Sequence, residues 1–89
     1  MFRGLRLRGG AATLLFGARE AAVLSTWAIG KREGDWILAG TITRVDTFLV
    51  RRSGLLFTAP RAGGYWAWAV LSVDVVGTHV RAKLGPPEQ

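Results

Sequence analysis

Cysteine is absent from these 89 residues and histidine occurs once. The first absence excludes a disulfide framework, a thiolate metal site and a cysteine nucleophile. The second leaves no metal-binding cluster, because the six acidic residues are scattered along the chain. Long apolar runs are missing too. The longest uncharged stretches, 9–18, 21–30 and 62–73, fall short of the roughly 18–20 residues of a membrane helix. A single-chain membrane barrel needs more strands than this length can supply. Integral membrane insertion is therefore not expected, and no cofactor is. The glycine pairs Gly9-Gly10 and Gly63-Gly64 lack the helix, Lys and Ser/Thr of a phosphate loop and read as turns.

What is present is aromatic and basic. Four Trp, four Phe and one Tyr sit in a chain that is 49% hydrophobic and 20% charged. That composition is globular. The length allows one domain, taken as residues 1–85, with 86–89 as a tail. A core this small is thin, and large rings, at roughly 150–250 Å² each, make up for it. The net charge is +6, and ten of the twelve basic residues are Arg. Such a surplus favours anionic partners, and the planar guanidinium grips phosphates and stacks on rings. An Arg-, Ala- and Gly-rich composition also follows from a GC-rich genome.

The strand signals are short and frequent. Residues 2–8 alternate around Leu5 and Leu7. Gly9-Gly10 can form a tight turn, and 11–16 would return as its hairpin partner. An Ala-rich helix over 11–24 is the rival reading, and Gly17 interrupts it. The acid-free stretch 1–19 also has the composition of a targeting segment. Residues 22–29 suit a strand, 30–35 a polar turn, and 36–45 a second strand. On that strand Trp36, Leu38, Gly40 and Ile42 share one face. Gly40 inside it suggests a bend or bulge. A second hairpin turn is predicted at 51–54, with 55–59 pairing back until Pro60. Residues 61–64 form the third turn. The long strand 65–76 follows, then a last short one over 79–84.

Six or seven short strands with turns at this spacing predict an all-β fold: a small antiparallel barrel or rolled sheet, OB/SH3-like in kind. The stretch 60–76 is its organising strand. If Leu71, Val73 and Val75 face inward, strict alternation puts Trp66 and Trp68 outside. A bulge between the two groups reverses this and buries both Trp, the favoured outcome in so small a domain. Trp27 and Trp36 flank the second turn and are positioned to pair across it.

No catalytic set stands out. His79 could in principle join Asp74 or Asp46 and Ser53 or Ser72 in a triad, but nothing in their spacing brings them together. The remaining signal is aromatic residues interleaved with Arg, the pattern of a single-strand stacking platform. The candidate partner-binding residues are Arg51, Arg52, Arg61, Tyr65, Trp66 and Trp68, with a secondary basic patch at Arg3, Arg6 and Arg8. The expectation is a non-enzymatic, intracellular binding protein contacting nucleic acid, or a protein of a nucleic-acid-containing complex. The alternative is an interaction protein, either a small subunit of a larger assembly (a virion or organellar complex) or a phage-type inhibitor of a nucleic-acid-processing machine. Its motivation is the apolar residues Phe2, Leu5, Leu14 and Leu15 near the start of the chain. A homo-oligomer is compatible with either.

Overall fold

Four two-residue turns set the topology, and each contains a glycine at positive φ: Gly17, Gly34, Gly63 and Gly77. At the second of them Glu33 also has positive φ, 52°, before Gly34 at 87°. Two successive residues in that region make the primed turn whose twist matches an antiparallel hairpin. In a computed structural model describing residues 5–87, these turns link strands β1 (Leu5–Gly9), β2 (Ala12–Phe16), β3 (Arg19–Arg32), β4 (Asp35–Val45), β5 (Leu56–Arg61), β6 (Gly64–Val76) and β7 (His79–Pro87). The only helical element among the described residues is a 3₁₀ turn, Leu49–Arg51.

Strands β2-β3-β4 form one meander and β5-β6-β7 a second. The pairs β4–β7 and β2–β5 join them along two seams. Six strands thus close into an antiparallel barrel, with β1 as an extra strand on the second half of β3. The expected all-β barrel is what the chain forms.

Four local expectations are corrected. Gly9-Gly10 is not a hairpin turn. β1 and β2 run in the same direction and both pair with β3, in one continuous register from Leu7↔Ile29 to Leu14↔Ala22. Gly10 and Ala11 are a break in one long strand, and the hairpin turns at Gly17-Ala18. Gly9 serves packing instead: a Cβ there would meet the Trp27 ring at 2.8 Å. The predicted second hairpin is also absent, because β4 and β5 are not neighbours. The segment 46–55 crosses one end of the barrel and buries Leu49, Val50 and Leu55, so it plugs that end. Asp46 holds it in place, its Oδ1 accepting from the Phe48 and Leu49 N–H groups at 3.0 Å each. Third, β7 continues past residue 84 through Gly85 to Pro87, which stands opposite Trp68. Fourth, β5 includes Pro60, paired with Tyr65. β2 reaches only to Thr58, so Pro60 lies beyond the doubly paired stretch, where a missing N–H is tolerated.

The core follows from strand alternation. Leu38 and Ile42 of β4 face inward with Leu24, Ile29, Leu14, Phe57 and Leu84. Leu14, expected among the exposed apolar residues, is fully buried. On β6 the inward residues are Trp66, Trp68 and Val70, then Val73 and Val75. The phase changes at Leu71 and Ser72, where the register against β7 shifts. One inserted residue thus turns both valines and both tryptophans inward, and leaves Leu71 63% exposed. Trp27 and Trp36 do not pair with each other. Trp27 meets Phe57 edge-on at 5.2 Å, and Trp36 meets Trp68 edge-on at 5.2 Å. Gly40 lies opposite Trp27 and Val80, where Leu24 and the Thr26 carbonyl leave no room for a side chain.

Candidate nucleic-acid interface

The end of the barrel away from the 46–55 plug carries the turns Glu33-Gly34 and Ala62-Gly63. Pairing about the first turn sets Lys31 directly across from Trp36. The Lys31 ammonium lies 5.1 Å from the centre of the Trp36 ring. At the second turn the Arg61 guanidinium lies 4.7 Å from the centre of the Trp66 ring. Trp66 is half-buried and Trp36 leans edge-on against the buried Trp68. Tyr65, on the opposite face of β6 from Trp66, is 72% exposed. This end is therefore a mouth floored by tryptophan, over which lie, among the described residues, the cations of Lys31 and Arg61.

Among the described residues neither of these cations meets a carboxylate. The ion pairs among those residues are Arg44 with Glu20 and Lys83 with Asp35, both on the surface. The Arg61 and Lys31 charges instead each face an indole ring. A cation on an indole face gains about 0.5–1 kcal/mol when exposed. The outer face of a stacked guanidinium can still take a base, and its N–H edge a phosphate.

The sequence-predicted residues do not form one site. Arg61 and Trp66 line the mouth and Tyr65 stands at the same end on the outer face of β6, whereas Arg51 and Arg52 sit at the plugged end. Leu15↔Leu56 and Thr13↔Thr58 show that β5 runs from the plug toward the mouth. Its six residues, at about 3.3 Å each, separate the two groups by roughly 20 Å. At the plug the Arg52 guanidinium lies 5.7 Å from the Phe16 ring and 5.4 Å from the Phe48 ring. Trp68, at 1% exposure, is core and presents no face to a partner. Arg8 is exposed on β1, on the outside of the barrel, and Arg3 lies outside the described residues. Lys31 and Trp36 were not among the predicted site residues, although their symmetric spacing about Glu33-Gly34 marks them as a cross-strand pair.

The candidate triad is not assembled. Asp46 spends Oδ1 on the plug, and no hydrogen bond joins His79 to Asp74, Ser53 or Ser72. Among the described residues no group of three or more His, Asp or Glu is placed to hold a metal ion. Among the described residues no helix is long and apolar enough to cross a membrane. No protein-family model, curated protein or solved structure matches this chain.

Proposed function

We propose that this protein is a non-enzymatic binder of single-stranded nucleic acid that engages its ligand at the tryptophan-floored mouth. The observation that carries the reading is the pair of cations on indole faces, Arg61 on Trp66 and Lys31 on Trp36, beside the exposed Tyr65. Rings provide stacking that every base can use, worth about 1–3 kcal/mol per base, and the cations provide phosphate contacts. The net charge of +6 draws the polyanion in.

Fluorescence anisotropy with labelled DNA and RNA oligomers, titrated across salt, tests this. Affinity falls linearly on a log–log salt plot, because bound phosphates release counterions. Arg61→Ala and Tyr65→Ala each weaken binding by roughly 5- to 150-fold, the equivalent of about 1–3 kcal/mol. Absence of any complex at low salt defeats the proposal.

The reading as an interaction protein draws on a different place. Leu71 and Val76 are exposed at the two ends of residues 71–76 of β6, which among the described residues pair with β7 and with no strand on the other side. A chain that sediments as a dimer, or binds a protein while ignoring nucleic acid, favours that reading.

A further inference from the structure

The outside of the barrel carries a second basic surface that the aromatic pattern does not reach. Cross-strand register aligns Arg8 of β1, Ala28 of β3, Ala39 of β4 and Arg81 of β7 in one row. The next row holds Thr26, Thr41 and His79. Small side chains in the middle and long ones at the sides make a trough of about 900 Å³. Its two arginine banks stand three strand steps apart, roughly 14 Å at about 4.8 Å per step. Among the described residues no carboxylate forms an ion pair with either arginine. Asp74 stands directly across from Arg81 on the outer flank and is the one acid lining the trough. Beneath the Arg8 bank, where Gly9 has no side chain, lies Trp27, whose indole N–H is buried without an acceptor.

We propose that this trough binds the sugar–phosphate backbone of a nucleic-acid strand, with Arg8 and Arg81 gripping phosphates from its two banks. The inference rests on the nucleic-acid reading and extends it from the mouth to the barrel wall. The chemistry favours backbone over base. The floor offers Ala and Thr, and the one exposed ring lining it is the small imidazole of His79, so there is no tryptophan or tyrosine platform for bases. The Thr26 and Thr41 hydroxyls and the His79 ring are the small donors that position phosphates without reading sequence. The trough is open along its length, which suits a strand passing through rather than an enclosed small molecule. Asp74 tempers the site by standing beside Arg81.

The test uses two probes on the full chain: a labelled oligothymidylate, and inorganic polyphosphate, which has charge but no bases. The variants are the double substitution Arg8→Ala/Arg81→Ala, Asp74→Asn and, for the mouth, Arg61→Ala. All the changed side chains are exposed, and circular dichroism checks the fold. The double variant is expected to lose roughly tenfold or more in affinity for both probes. Its log–log salt slope with the oligomer falls by about 1.4, since each phosphate contact on a single strand contributes about 0.7. Asp74→Asn tightens both probes several-fold, a gain that a merely structural role for Asp74 does not produce. If the double variant keeps the wild-type affinity and slope while Arg61→Ala weakens the oligomer, the trough assignment falls and the mouth stands. If polyphosphate binds through Arg8 and Arg81 but no oligomer binds, the nucleic-acid reading falls and this assignment with it.

Discussion

Gly40 shows how much one missing methyl can decide. A Cβ at this position would stand 2.5 Å from the Cδ2 of Leu24 and 2.8 Å from the carbonyl oxygen of Thr26. Leu24 is fully buried and the Thr26 oxygen is backbone, so neither yields cheaply. Gly40→Ala is therefore expected to destabilise the fold by about 1–3 kcal/mol, the usual range for overpacking a core. Urea unfolding reads this as a lower midpoint with an unchanged slope. The position was legible in the sequence, since glycine inside a strand marks a bend or a close approach. Gly9 was less legible. Its neighbour in sequence is another glycine, and a Gly-Gly pair between apolar runs looks like a hairpin turn. What overrode the local signal was the indole of Trp27, eighteen residues away, which needs a residue without a side chain above it. Trp68 illustrates the same limit at the candidate site. Whether its ring stacks on a partner or fills the core depended on a one-residue bulge downstream, at Leu71-Ser72. No composition or period within the tryptophan stretch itself encodes that bulge.

Among the elements, the segment 46–55 was the hardest to foresee. Its sequence offers Arg-Arg-Ser-Gly, which resembles a hairpin loop, and the strands on either side are β-rich. The chain uses the segment instead to cross and plug a barrel end, because Leu49, Val50 and Leu55 have an open end of the core to fill. Asp46 fixes the crossing by accepting two backbone N–H groups, and the Asp46 N–H itself donates to the Ala21 carbonyl at 2.8 Å. Asp46→Ala removes the side-chain acceptor and leaves the part-buried Leu49 N–H without it. The expected cost is about 1 kcal/mol, as for other lost capping side chains, and Asp46→Asn retains most of that. Amide hydrogen exchange locates the effect: protection at Leu49 and Val50 falls, while β3 and β4 keep theirs. The plug also explains why the predicted arginines divide into two groups. Arg51 and Arg52 travel with it to the far end of β5, and only Arg61 remains with Tyr65 and Trp66.

For the whole molecule, the connectivity separates local from distant pairing. Every contact within a meander joins strands linked by a two-residue turn. The two seams do not: the Thr58 hydroxyl reaches the Thr13 carbonyl at 3.4 Å across 45 residues of chain. Loop closure makes such pairings slow to form and late. The meanders are thus expected to form before the seams. Ile29→Val, inside the first meander, should slow folding. Phe57→Leu, at the β2–β5 seam, should mainly speed unfolding, and stopped-flow chevrons separate the two effects. The barrel class was readable from turn spacing, because turns are local. Which strands close it was not, because seam pairing depends on two surfaces matching only after both meanders exist.

The half-paired stretch of β6 has a colloidal consequence. Residues 71–76 present backbone donors and acceptors on the side away from β7, flanked by exposed Leu71 and Val76, and unpaired strand edges recruit other chains. The one charge in that stretch is Asp74, so like-charge repulsion between facing copies falls on a single carboxylate. In the proposed trough the same carboxylate holds back the phosphate grip of Arg81. Tighter ligand binding and freedom from self-association therefore draw on one side chain in opposite directions, and a variant that improves the first gives up part of its resistance to clumping.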